Sequence, residues 1–184
     1  MICLIIADFF VTLAGWHFFG WSYRKDMTLH EVIIETPRGS REKYDWDKKA
    51  KAYKLKKLLP LGMSFPYDFG FIPGTKGEDG DPLDAMVISE FSTFPGCSVD
   101  CRLIGALKAE QTEKGKTIRN DRFFFVADCS VVYANIKSIK DFPAFHNKEL
   151  IIFFINYNEP EGKKFNPLRL LAAEKAIKLL KKEL

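Results

Sequence analysis

The chain has 184 residues, 47% of them hydrophobic and 28% charged, with a formal net charge of +4. That length and apolar share suit one globular core, while so small a positive excess does not suit bulk nucleic-acid binding. The four cysteines (Cys3, Cys97, Cys101, Cys129) lack the paired spacing of a zinc site, the three His supply no matching set, and reduced thiols in an intracellular chain are the simplest reading.

Residues 1–23 are strongly apolar, broken by Asp8 and followed by Arg24 and Lys25. The stretch is long enough for a membrane anchor. A signal peptide fits less well, because the basic start and the small-residue cleavage site are missing. The preferred reading divides the chain into an N-terminal extension, 1–26, and one domain, 27–184, with Met27 as a natural start. The product is then expected in the cytoplasm, with anchoring through 1–23 as the second reading.

After Met27 the pattern predicts a strand over 31–36 and a short amphipathic strand at 43–46. Lys48, Lys49, Lys51, Lys54, Lys56 and Lys57 read as a solvated face. Residues 63–75 are aromatic and punctuated by Pro66, Gly70, Pro73 and Gly74, which suits a short strand between tight turns. Tyr67, Phe69 and Phe71 alternate and should share a face. Strands are expected at 87–88, 98–109 and 122–127, with a polar hairpin loop over 110–120. A helix is expected over 143–157 with Asp141 as its N-cap. Residues 159–166 read as a loop, and 168–184 as an amphipathic C-terminal helix. Strands first and helices last predict a single α+β domain with a barrel-like core.

The most informative stretch is Glu78-Asp79-Gly80-Asp81-Pro82-Leu83-Asp84. Gly80 and Pro82 exclude a helix interior, so the run is a turn feeding a buried strand. Three aspartates this close stay ionised together only if a cation neutralises them. Oxygen ligands without His or Cys favour magnesium over zinc. The plainer alternative is a solvated acidic turn. Elsewhere, Glu35, Asp45 and Asp121 sit near predicted strand ends, as do Lys43, Lys57, Arg122 and Lys163. Acid-bound metals beside such cations suit a small, highly anionic phosphate substrate.

Asp79-Gly80-Asp81-Pro82-Leu83-Asp84 resembles the D-x-D-P-x-D motif of family I soluble inorganic pyrophosphatases. Residues 65–73 resemble that family's segment just before the motif. Glu35, Lys43-Tyr44-Asp45 and the late run at 153–157 follow in the family order. The resemblance covers about residues 30 to 165. It implies an OB-like five-stranded β-barrel with flanking helices, the C-terminal helix packed on the barrel. It also implies hydrolysis of inorganic diphosphate to two phosphates, several Mg2+ ions, and a homo-oligomer, a hexamer in many bacterial members. By position, Asp79 and Asp84 would hold the metals that generate a bridging hydroxide, with Asp81 as the catalytic base. Glu35, Asp45 and Asp121 would complete the metal set. Lys43, Lys57, Arg122 and Tyr157 would bind phosphate oxygens.

The sequence also departs from the family pattern. Lys57 stands where many members have arginine, and Phe69 where many have tyrosine, a loss that Tyr67 would cover. Asn120 falls at one of two further metal aspartates, and Glu110 or Glu113 would replace the other. Asn158 stands where lysine is common. Two rival functions share these features: another Mg-dependent phosphohydrolase, and a catalytically weakened OB-like binding module. Nucleic acid is not an expected partner, because the acidic cluster repels a phosphodiester backbone.

Overall fold

Val32, Ile34 and Thr36 are buried while their neighbours in β1 (Leu29–Thr36) are not, the period-two burial of a strand with one face inward. The computed structural model describes residues 28–184; the apolar segment and its three readings lie outside them. β1 is followed by β2 (Glu42–Asp47), β3 (Ala52–Leu58), β4 (Asp68–Phe71), β5 (Asp84–Ile88), β6 (Ser98–Glu113), β7 (Lys116–Arg119), β8 (Arg122–Ala127) and β9 (Lys164–Ala172). Two helices, α1 (Ala144–Asn158) and α2 (Ala173–Leu180), flank β9 in the chain.

Five strands close on themselves. The order β1-β4-β5-β8-β6 returns to β1 through a β1–β6 pairing, with β7 and β9 added on β6 and β2–β3 forming a separate hairpin. This is the expected OB-like α+β barrel, and closure removes most of the free edge. β5 and β8 run parallel, the other pairs antiparallel. β8 is buried at every position, as a strand covered on both faces must be. Phe124 and Val126 pack with Phe153 and Phe154 of α1. Phe123 and Phe125 pack on the opposite side with Ala176 and Leu180 of α2. Gly70 is required where β4 crosses β1, since a Cβ there would lie 1.9 Å from the Ile33 carbonyl oxygen.

Several sequence expectations need correcting. The basic run holds a strand, β3, with Lys48, Lys49, Lys51, Lys54 and Lys56 exposed and Lys57 half-buried. The expected hairpin loop is mostly ladder. β6 continues to Glu113, and β7 begins after Lys114 and Gly115, both at positive φ (50° and 79°) as a tight two-residue turn demands. Asp141 does not cap α1, where Pro143 occupies the cap position; it sits in a 3-10 turn and accepts from the Lys137 and Ser138 N–H groups, each at 2.9 Å. The largest correction is at the C-terminus. Residues 164–172 form β9 rather than the front of a helix, because β6 offers a long ladder for them. Helical spacing of Leu171 and Ala172 fits either state, and pairing overrides propensity. Pro167 is tolerated there because β9 is an edge strand and the register slips beside it.

Candidate active site

Glu35 is the extra residue of a β-bulge. Ile34 pairs with Gly70 and Thr36 with Phe69, leaving Glu35 outside the ladder and free to swing toward β2. Lys43 meets it there. The Lys43 ammonium, 7% exposed, lies 3.0 Å from Glu35 and 2.5 Å from Asp45. It stands 5.4 Å above the Phe69 ring, so the position expected to hold an active-site tyrosine carries an apolar floor under a cation. Burial raises the Glu35 pKa more than Lys43 lowers it. Burial alone would lower Lys43, but Glu35 and Asp45 outweigh it and its pKa is raised. For Asp45 burial is the largest single influence and raises the pKa, yet Lys43 and Lys56 together leave it lowered.

The acidic turn is built from within. The Gly77 N–H donates to the Asp81 carbonyl at 2.7 Å, and the Asp81 N–H to Asp79 Oδ1 at 3.0 Å. Gly80 has φ +89°, a conformation that excludes most side chains. Asp84 opens β5, and parallel register sets it beside Arg122, the first residue of β8; the two side chains form an ion pair. Burial raises the Asp84 pKa, opposed by Arg122 and Lys43 and reinforced by the like charges of Asp79 and Asp45. That pattern puts the β2 cluster and the acidic turn in one electrostatic field. Asp79 and Asp84 line a cavity of about 270 Å3 together with Arg119, Asn120, Asp121 and Glu183. Asp81 is exposed between them and is not among the lining residues.

Lys57 and Tyr157 are not among that cavity's lining residues; they pair with each other. The Lys57 ammonium lies 3.7 Å from the Tyr157 ring centroid and 2.7 Å from Glu161. Burial lowers the Lys57 pKa, partly offset by Glu161. Burial, with Asp84 next, pushes the Tyr157 phenol up, so it remains a hydrogen-bond donor. Arg122 lies 5.4 Å from the Phe154 and Phe165 ring centroids, which fix its plane from behind.

On the β6–β7 hairpin the picture changes. Gln111, not Glu110 or Glu113, faces Asn120, whose Nδ2 donates to Gln111 Oε1 at 3.0 Å. Glu113 instead pairs with Lys163 at 3.6 Å. Asp121 is 3% exposed, accepts from the Ala109 N–H at 3.0 Å and holds Arg119 Nε at 2.7 Å. Tyr67 does not supply the hydroxyl missing at Phe69, since its OH is 2.9 Å from His146 Nε2 on α1. Asn158 is buried and donates to the Phe154 carbonyl at 2.7 Å, ending α1 rather than facing the site.

Sequence reasoning missed Arg119, Glu161 and Glu183. Arg119 and Asp121 are two apart along an extended segment and so share a face, a signal the sequence did contain. Glu183 reaches the cavity from the turn that ends α2.

The donors around Asp84 are carboxylates, with no thiol or imidazole lining the cavity. Such a set fits a hard divalent cation. The like-charge field at Asp84 is the observation that calls for one. Among the described residues no three acidic, His or Cys side chains are already gathered as a cage; Glu35, Asp45 and Asp84 are each held by a lysine or arginine.

Residues 32–184 match the family model described as inorganic pyrophosphatase. The chain is 38% identical over 141 residues to an inorganic pyrophosphatase of Methanosarcina acetivorans, covering 75% of this chain and 82% of that one. It is 40% identical over 135 residues to that of Synechocystis, covering 73% and 78%. The crystal structure of inorganic pyrophosphatase from Thermus thermophilus superimposes with a TM-score of 0.75 at 32% identity, covering 84% of this chain and 88% of that one.

Proposed function

The chain belongs to the inorganic pyrophosphatase family, and from that premise we propose how its own residues carry the reaction. It is a hydrolase that splits inorganic diphosphate into two phosphates and requires a divalent metal. Magnesium is the ion we propose, held by Asp79, Asp84, Glu35 and Asp45. When bound, the ions supply Lewis acidity, offsetting carboxylate and diphosphate charge and lowering the pKa of water. Asp121 was expected among these ligands; its ties to Arg119 and Ala109 leave it out of the proposed set.

The protein's side chains do the rest. Asp81 takes a proton from the attacking water as its oxygen bonds one phosphorus and the bridging P–O bond breaks. The bridging oxygen departs with the second phosphate. Lys43 and Arg122 bear the charge that develops there, and Lys57 and the Tyr157 hydroxyl hold its outer oxygens. Arg122 presents a planar fork, whereas Lys57 supplies a point charge. The observation that carries this reading is that Asp84, ion-paired with Arg122, lines one cavity with Asp79.

The catalytic domain is proposed to span 27–184, working as a cytoplasmic homohexamer, a size that light scattering on the purified chain checks. Among the described residues no helix is long and apolar enough to cross a membrane. Cell fractionation of the full chain tests the location, and recovery in the membrane fraction would contradict it. Phosphate release from diphosphate, triphosphate and a nucleoside triphosphate, each with magnesium and with calcium instead, tests the activity. Rapid release from diphosphate with magnesium is expected. Faster release from the nucleotide would overturn the substrate.

A further inference from the structure

We propose that Arg119 is a protein-borne cation that takes the place of one divalent ion on the hairpin side of the cavity. The inference rests on the metal-dependent reading above and adds a residue to it. Three carboxylates converge on Arg119, one from two residues away and two from distant segments. Its Nε and Nη2 lie 2.7 and 2.6 Å from Asp121 Oδ2. Its Nη1 lies 2.8 Å from Glu183 Oε1, and its own N–H donates to Glu78 Oε2 at 2.5 Å. All four residues line the cavity that also holds Asp79 and Asp84.

Asp121 is fixed as well as paired, since its other oxygen accepts from the buried Ala109 N–H. The guanidinium therefore covers the one oxygen of Asp121 that the backbone leaves available. The adjoining Asn120 donates to Gln111 and accepts from the Arg122 guanidinium, and neither amide brings a charge. A hard dication approaching Asp121 meets a carboxylate whose two oxygens are already engaged, and the guanidinium on it repels the ion. On the opposite edge Asp79 and Asp84 add to each other's negative field. Asp121 is thus closed to an ion by Arg119, while Asp79 and Asp84 remain the carboxylates open to one.

Manganese serves as the probe. Bound Mn2+ per chain is counted by electron paramagnetic resonance of the free ion, without diphosphate. Arg119→Gln uncovers Asp121 and is expected to bind one further ion per chain than wild type. Asp121→Asn is expected to keep the wild-type count, and the double variant to return to it. A merely structural Arg119 would not raise the count. No further ion in folded Arg119→Gln, or loss of an ion in Asp121→Asn, would overturn the proposal. If circular dichroism shows Arg119→Gln unfolded, Asp121→Asn alone decides, because an Asp121 that binds metal in the wild type must lose an ion. Phosphate release by the wild-type chain is measured in parallel. Its absence alongside the expected counts would sink the diphosphatase reading and leave Arg119 standing.

Discussion

On the acidic-turn edge of the cavity Asp84 pairs with Arg122 and still feels Asp79 and Asp45 as like charges; on the hairpin edge Asp121 and Glu183 share the guanidinium of Arg119. Both edges hold aspartates, yet Asp121 has one oxygen on Arg119 and the other on the Ala109 N–H, whereas Asp79 and Asp84 meet as like charges on one cavity. The difference lies in neighbours. Register sets one arginine against the acidic turn, whereas on the hairpin an arginine two residues away closes on the aspartate from the same face. An acidic residue near a site is therefore not a metal ligand until its local partners have been counted.

The comparison is broken most severely at Asp81. Asp81→Asn should lower phosphate release about 100- to 10,000-fold, the usual worth of a general base, while its exposed place in the turn leaves unfolding unchanged. Steady-state kinetics beside a thermal melt checks both halves. Turnover within a few-fold of wild type would remove Asp81 from its role.

Lys43 tests the seam between β1 and β2. Lys43→Ala strands Glu35 and Asp45 without their shared cation, and breaking so buried a pair should cost about 3–5 kcal/mol in denaturant unfolding. A loss below about 1 kcal/mol would mean that solvent already screens the pair.

Acid should weaken cation binding at Glu35 and Asp84. Burial raises Glu35 and Asp84 above their ordinary values, so both take up protons at a higher pH when folded than when unfolded. Stability from this source is fully present below the unfolded pKa and is lost as pH rises through the folded one. Cation binding has the opposite sign, since it needs the ionised forms and strengthens over that same rise. Manganese titrations at decreasing pH should therefore lose affinity above the ordinary carboxylate range of about 3.9–4.3. Affinity that holds down to that range would contradict the raised values.

The smallest effect is expected at Gln111. Gln111→Ala removes the hydrogen bond to Asn120 and should cost about 1 kcal/mol of stability, read by denaturant midpoint. A cost of several kcal/mol would show the amide pair to be part of a larger network.

Much of the barrel could be read in the sequence because its strands carry their own signals. β1 and β8 announce themselves by β-branched and aromatic runs. β9 did not, since Leu171 and Ala172 fit a helix as well as a strand and only the β6 ladder decides between them. The site followed the same division. Asp79, Asp81 and Asp84 were legible because Gly80 and Pro82 force a turn that keeps them together. The Glu35–Lys43 pair was not, because it depends on a bulge that re-aims Glu35. Tyr67 was expected to cover the hydroxyl missing at Phe69, but α1 places His146 against its own hydroxyl. The role of Glu183 depends on where the packing of α2 sets its last turn, which no local pattern encodes.

On the function proposed above, the acidic-turn edge carries the metal-dependent hydrolysis and the hairpin edge does not. Phosphate release from diphosphate, followed across a magnesium titration in the wild-type chain, Asp84→Asn and Gln111→Ala, tests it most directly. The account predicts release that saturates with magnesium in the wild type and in Gln111→Ala, and is lost at every magnesium concentration in Asp84→Asn. Wild-type-like release from Asp84→Asn, or an equally deep loss in Gln111→Ala, would contradict it.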